Sequence, residues 1–178
     1  MIVLTFTPEI FAHECHRLER RVAPAPDLVV GIASGGEHVA RQIFPTVAHA
    51  SVTCRRPSTA IKAAIGPVFS LVRILPRAMR DGLRMMEARR LRGGSRREAP
   101  HVDIPEEALS ARDILVVDDA VDSGTTMRAV VQALRKANPA ARIRTAAIVV
   151  TMPEPQIWPD TVLFTNVLIR FPWARDYR

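Results

Sequence analysis

The 178 residues are enough for one compact domain with a real core, and 48% hydrophobic against 24% charged residues excludes a disordered or fibrous chain. No apolar run reaches the roughly 18 residues of a membrane-spanning helix, and the start, MIVLTFTPEIFAHECHRLERR, lacks the charged, apolar and small-residue zones of a secretory signal, so a cytoplasmic single domain with no membrane association is expected. The net charge of +7 is local: between Arg73 and Arg97, nine arginines (73, 77, 80, 84, 89, 90, 92, 96 and 97) stand against Asp81 and Glu87, nine minus two, and the rest of the chain sums to zero.

Short β-branched runs alternate with helix-like stretches, the pattern of an α/β domain with a parallel sheet. Residues 27–32 (DLVVGI) form an apolar run that ends in Ala33-Ser34-Gly35-Gly36, and 37–44 reads as a helix closed by Pro45. A second strand is expected over 48–53, leading into the basic turn Arg55-Arg56-Pro57-Ser58-Thr59. The segment of about 60–110 is an insertion: Leu71, Leu75, Met79, Leu83 and Met86 recur at helical spacing, which predicts one or two amphipathic helices over 68–92. Gly93-Gly94-Ser95 breaks them, and 95–106 reads as a polar loop. Residues 113–117 (DILVV) give the strongest strand signal, followed by a loop over 118–124 and a helix over 125–137 stopped by Asn138-Pro139. Further strands are expected over 143–151 and, more briefly, 161–164.

With a strand ending at Val117, Asp118 and Asp119 fall at the carboxyl end of a parallel strand, where open α/β sheets bind ligands. Two adjacent carboxylates there can hold the vicinal hydroxyls of a ribose, directly or through Mg²⁺. Ala120 to Thr126 then supply a turn with Gly124 at its tightest point and hydroxyls from Ser123, Thr125 and Thr126; such a turn at a helix N-terminus binds a phosphate. A ribose site followed at once by a phosphate site describes a ribose 5-phosphate. The plainer alternative is a strand-to-helix turn in which Asp118 or Asp122 caps the helix, although capping needs one acid rather than three.

The run VVDDAVDSGTTM resembles the PRPP-binding signature of the type I phosphoribosyltransferases, two acidic residues followed by an Asp-Thr/Ser-Gly-x-Thr loop. The resemblance implies that fold, a mostly parallel twisted sheet flanked by helices, with a small hood from 1–26 and 152–178. It implies transfer of phosphoribosyl from Mg-PRPP to a nitrogenous acceptor, such as a purine base, through an oxocarbenium-like transition state, by an enzyme that is usually a dimer. On that reading Asp118 and Asp119 carry the metal and the ribose, and Ala120, Val121, Ser123, Gly124, Thr125 and Thr126 hold PRPP. Asp122 is then the general base or acceptor for the attacking nitrogen, or else a turn-stabilising residue.

The turn Ile32-Ala33-Ser34-Gly35-Gly36 is similar to the family's pyrophosphate loop, which often contains a non-proline cis peptide. Where many purine enzymes carry Arg or Lys before the glycine pair, this chain has Ser34, and Arg55 and Arg56 are the candidates to meet the pyrophosphate charge instead; Thr59 and Lys62 are weaker ones. The ending Leu168-Ile169-Arg170-Phe171-Pro172-Trp173 resembles the tail of xanthine/guanine enzymes, which implies base contacts from Ile169, Phe171 or Trp173. The family's aromatic and acidic tail residues are absent at Leu168 and Arg170, and the aromatic rings read equally well as core anchors.

The arginine-rich insertion suits a helical cap or a dimer surface, and it would also attract polyanions without reading their sequence. Hence a second expectation, a PRPP-sensing regulator that acts on RNA or a protein partner, and a third, an acceptor that is not a nucleobase. His13 and His16, with Cys15 between them, lack a partner set for a metal and read as structural, and Cys15 and Cys54 as free thiols. His38 reads as a helix-surface residue or one that faces pyrophosphate.

Overall fold

The computed structural model describes residues 2–55, with Arg55 by its backbone alone, and 101–174. Arg56, Thr59, Lys62, the helices expected over 68–92 and the arginine cluster lie outside the described residues. The chain divides into two compact units, Met1–Cys54 with Val102–Arg178, and Arg55–His101.

The centre of the first unit is a five-stranded sheet, parallel throughout, in the order β3-β2-β4-β5-β6. These strands are β2 (Leu28–Ile32), β3 (Ala48–Val52), β4 (Asp113–Val121), β5 (Arg142–Val150) and β6 (Thr161–Thr165). A separate pair, β1 (Ile2–Thr5) and β7 (Val167–Arg170), joins the two ends of the chain in parallel, Ile2 opposite Val167 and Thr5 opposite Arg170. The helices are α1 (Pro8–Val22), α2 (Gly35–Gln42) and α3 (Thr125–Ala137).

Side chains on a strand alternate between faces, and this sheet is buried on both. Val29, Leu115, Val117, Ala146 and Ile148 join one cluster with Phe11, Cys15 and Leu18 of α1 and Val39 and Ala40 of α2. Leu28, Val30, Ile114, Val116 and Ala147 join the other, with Met127, Val130, Val131 and Leu134 of α3. Those four α3 positions are spaced i, i+3, i+4, i+7, one helical stripe. Continuous rather than alternating apolar runs in β2 and β4 follow from this double coverage.

Side chains fasten the element ends. Thr7 caps α1 by accepting from the Ile10 N–H (3.3 Å), with Pro8 in the first turn. Arg144 grips Asp113 with two hydrogen bonds, 3.0 and 2.9 Å, and donates to the carbonyls of Val22 and Pro24, tying the turn after α1 to β4 and β5. Asn138, expected only as a helix stop, also donates to the carbonyls of Ala108 and Ala111, both at 2.9 Å. That anchors a 3₁₀ turn (Glu106–Leu109) whose Ala108 is buried, so the last residues of the stretch expected as an insertion belong to the first unit.

One boundary differs in a way that matters. β4 does not stop at Val117 but continues to Val121, because β5 keeps pairing with it, Asp118 opposite Ala147 and Val121 opposite Val150. The acidic pair and Ala120 and Val121 are strand residues, not loop residues. The helix after them begins at Thr125 and ends at Ala137, as its sequence pattern indicates.

Candidate active site at the carboxyl ends of the second and fourth strands

β2 connects outward to β3 on one side, while β4 connects outward to β5 on the other, so strand order reverses between β2 and β4. Ligands of open α/β sheets bind in the crevice at such a point. The segment after β2 is the glycine turn, and the end of β4 carries the acidic pair.

The two segments touch. A Cβ placed on Gly35 would lie 2.1 Å from the Asp119 Cγ, and one on Gly36 would lie 2.5 Å from the Val117 carbonyl oxygen and 3.1 Å from the Asp118 Cα. No residue but glycine fits such an approach. The sequence suggested that the paired glycines close on a ligand; they close first on the acidic pair itself. The Ala33–Ser34 peptide is cis, and Ser34 is exposed.

Asp118 and Asp119 are half-buried. The Asp118 carboxylate accepts from the Asp119 N–H (3.0 Å) and the Asp119 carboxylate from the Ala120 N–H (2.8 Å). Burial holds the proton affinity of both acids above the ordinary carboxylate value, and for Asp118 the neighbouring charge of Asp119 pushes the same way. Against this, hydrogen bonds to Asp119, that from the Ala120 N–H among them, favour its charged form. Two desolvated carboxylates side by side are a donor set that suits a hard cation, and two protein carboxylates completed by substrate oxygens and water are a usual Mg²⁺ arrangement.

Beyond Val121 the chain turns. Asp122 is exposed and its Oδ1 accepts from the Thr151 hydroxyl at 3.0 Å. The Ser123 and Thr125 hydroxyls are 3.0 Å apart, and Gly124 between them has φ of 72°, the left-handed conformation that glycine alone adopts freely. Gly124 leads straight into α3, whose N-terminal N–H groups and dipole favour an anion. Ala120 and Val121 do not line this turn as loop residues: Val121 is buried, and its carbonyl accepts from the Thr151 N–H at 2.9 Å.

Residues of the segment expected as part of the hood, none of them singled out in the sequence, cover the turn. The Gln156 N–H donates to the Ser123 carbonyl (2.8 Å), Arg128 reaches the Gln156 side chain (3.3 Å), and a Cβ on Gly124 would meet the Ile157 nitrogen at 3.0 Å. The prolines at 153, 155 and 159 were the available signal: they stiffen a loop that has to lie flat over its neighbour.

The tail residues part company. Ile169 is half-buried against the core on the α1 side of the sheet. Phe171 is 5% exposed and enclosed by Phe6, Phe11 and Trp173, which makes it a core anchor. Trp173 stacks on His38 (4.2 Å, 17°) and on Phe171 (5.0 Å, 8°), with Phe11 edge-on at 4.9 Å. His38 therefore meets an aromatic ring of the tail, a partner not foreseen for it. His13 and His16 are exposed on α1, and His16 contacts Glu19.

Three solved structures with the same fold extend over nearly the whole chain. A xanthine-guanine-hypoxanthine phosphoribosyltransferase of Helicobacter pylori superposes with a TM-score of 0.67 at 18% identity, covering 98% of this chain and 95% of its own. A purine phosphoribosyltransferase of Pyrococcus horikoshii gives 0.62 at 18%, with the same coverage. A hypothetical protein of Neisseria gonorrhoeae with bound ppGpp gives 0.60 at 16%, covering 99% and 92%. No curated protein matches the sequence significantly. The family model described as "Phosphoribosyl transferase domain" matches residues 10–174, nearly the full length. The chain belongs to the phosphoribosyl transferase domain family: it is a phosphoribosyltransferase enzyme with the type I fold.

Proposed function

We propose that the protein transfers the 5-phosphoribosyl group of Mg-PRPP to a ring nitrogen of a purine base and releases pyrophosphate. The observation that supports this reading is the close approach of Gly35 to Asp119, which brings the glycine turn onto the acid pair; on this reading the glycine turn takes pyrophosphate, the acid pair the ribose, and the turn after β4 the 5-phosphate. PRPP has its pyrophosphate, ribose and 5-phosphate in that order.

In this assignment the phosphate sits on the Ser123-Gly124-Thr125-Thr126 turn at the start of α3. Asp118 and Asp119 accept from the ribose hydroxyls and hold Mg²⁺, which when bound offsets the charge of the leaving pyrophosphate. Backbone N–H groups of Ser34, Gly35 and Gly36 take the pyrophosphate oxygens. The bond from C1 of the ribose to the pyrophosphate oxygen breaks, the bond from C1 to the acceptor nitrogen forms, and the proton displaced from that nitrogen passes to Asp122, which Thr151 holds. Catalysis rests on fixing the reactants and stabilising the spread of charge. Ile169, Phe171 and Trp173 form the hood side of the base site, with Phe171 acting from beneath Trp173. The choice of a purine draws on two structural neighbours, a xanthine-guanine-hypoxanthine and a purine phosphoribosyltransferase. A cytoplasmic homodimer of one domain, with hood and insertion, acting in nucleotide metabolism completes the reading, its arginine-rich insertion adding non-specific polyanion affinity.

Calorimetric titration with PRPP and Mg²⁺, repeated with a panel of purine and pyrimidine bases and followed by a turnover assay, tests this. Binding and turnover with one base class support it; an absence of PRPP binding overturns it. A second reading, a sensor of PRPP or of a related nucleotide that acts on RNA or a protein partner, draws on the ppGpp bound to the Neisseria protein. PRPP or ppGpp binding that changes salt-dependent RNA affinity, without turnover of any base, would favour it.

A further inference from the structure

The segment that follows β5 runs alongside the phosphate turn as a strap and is bonded to it at both ends. At the near end the Thr151 N–H donates to the Val121 carbonyl (2.9 Å), and at the far end the Gln156 N–H donates to the Ser123 carbonyl (2.8 Å). Strap and turn leave no space for a side chain between them: a Cβ on Gly124 would meet the Ile157 nitrogen at 3.0 Å and the Gln156 nitrogen at 3.1 Å. Ile157 packs against the core on the α3 face, which seats the strap. Gln156 and Arg128 are both exposed, and the Arg128 guanidinium donates to Gln156 Oε1 at 3.3 Å. The Arg128 N–H in turn donates to the Gly124 carbonyl at 3.0 Å. These bonds close a ring from Ser123 through Gln156 and Arg128 back to Gly124.

A trans peptide unit is planar, and its C=O and N–H point in opposite directions. The Ser123 carbonyl shares its peptide with the Gly124 N–H, so the bond from Gln156 turns that N–H away from the strap. The Gly124 carbonyl shares its peptide with the Thr125 N–H, and the bond it accepts from Arg128 points that N–H out of the start of α3. N–H groups at a helix start have no carbonyl of their own helix to meet, and an anion satisfies them. Gly124, with φ of 72°, belongs to the residue type whose backbone has the widest choice of conformation, and the strap selects one. The Gln156–Arg128 bond lies at the surface and adds nothing to the core; what it holds is the strap residue whose N–H fixes the turn.

We propose that Gln156 and Arg128 are positioning residues for the 5-phosphate turn: the bond between their side chains holds the strap on Gly124, and the strap aims the Gly124 N–H at the anion. The inference rests on the reading of residues 123–126 as the 5-phosphate site of PRPP, and it extends that site to two side chains outside the turn.

Calorimetry on the wild type with PRPP and Mg²⁺ comes first, because a wild type that does not bind overturns the site reading and this proposal with it. Given binding, Gln156→Ala and Arg128→Met each remove the side-chain bond. Each is expected to weaken PRPP binding by about 3- to 10-fold, while pyrophosphate, which lacks the 5-phosphate, binds with Mg²⁺ as it does to the wild type. The double variant should lose no more than the weaker-binding single variant, since both changes break the same bond, and melting temperatures should stay close to wild type. Unchanged PRPP affinity in the folded variants overturns the proposal; so does an equal loss for PRPP and pyrophosphate, which marks a general loosening of the crevice. Should the variants fail to fold, amide resonances of the wild type decide instead. PRPP with Mg²⁺ is expected to move the Gly124 and Thr125 signals and to slow hydrogen exchange at the Gln156 N–H; binding that leaves the Gly124 signal or the Gln156 exchange unchanged overturns the proposal while the acid-pair reading stands.

Discussion

The Cα of Gly35 rests against the carboxylate of Asp119, so closely that a methyl group there would fall 2.1 Å from the acid's carbon. Asp119 cannot simply swing away, since its backbone is held in β4 and its carboxylate is bonded to Ala120. Gly35→Ala is therefore expected to fold with a loss of about 1–3 kcal/mol and to lower kcat/KM by about a hundredfold through a misplaced acid. Thermal melts and steady-state kinetics with PRPP check both parts. An active, unperturbed Gly35→Ala protein would mean that the turn has room the geometry denies it.

A half-buried pair of acids costs the fold something when no cation is present. Burial raises the proton affinity of both, which is to say that the charged state is disfavoured in the folded protein. Asp119→Asn keeps the shape and an acceptor for the Ala120 N–H while removing one charge. Its metal-free form should melt about 2–4 °C higher at neutral pH, the equivalent of about 1 kcal/mol for a chain of this size, while affinity for Mg-PRPP drops by at least about tenfold. Stability gained against function lost is the usual pattern at binding sites. Differential scanning fluorimetry and calorimetry on the same samples measure the two sides.

How much of this was legible beforehand depends on range. β2, α3 and the acid pair read directly from Leu28–Ile32, Thr125–Ala137 and Asp118-Asp119, because apolar period, caps and adjacent chemistry are local properties. The end of β4 did not, since Asp-Asp-Ala disfavours a strand and Val121 alone favours one; pairing with Val149 and Val150 of β5 supplies it. Likewise the meetings of Gly35 with Asp119, Trp173 with His38 and Gln156 with Ser123 join residues far apart in the chain. Local periodicity carries no record of such contacts; they follow from the order β3-β2-β4-β5-β6.

Cys15 offers a measurement away from the site. It is fully buried on α1, and burial, with the negative charge of Glu14 adding to it, pushes its thiol from 9.0 up to about 12. The folded protein holds that proton longer than the unfolded chain does, so the stability this confers is complete below about pH 9 and is lost as pH rises toward 12. Compared at each pH, wild type should lose stability faster than Cys15→Ala above pH 9, by up to about 1.4 kcal/mol per pH unit. Parallel urea melts between pH 8 and about 10.5 read the difference; equal slopes would place the Cys15 ionisation elsewhere. In the same interval a thiol reagent should label Cys15 only as fast as the protein opens.

Thr151 and Asp122 provide the sharpest separation of binding from chemistry. The Thr151 hydroxyl donates to Asp122 Oδ1 at 3.0 Å, and neither side chain takes part in the acid pair or the phosphate turn. If Asp122 receives the proton from the acceptor nitrogen, Asp122→Asn should lower kcat by about 10²–10⁴-fold with PRPP affinity nearly intact. Thr151→Val, equal in shape but without a donor, leaves the acid present and unaimed. A hydrogen bond of this exposed kind is worth about 1 kcal/mol, so kcat should fall about fivefold while KM for PRPP stays the same. A rise in KM for PRPP with kcat unchanged would instead make Asp122 a part of the phosphate turn, with proton transfer left to solvent. Pre-steady-state measurement of nucleotide formation distinguishes the two, because a chemical step slowed by Thr151→Val remains slow in the first turnover, whereas slowed release does not.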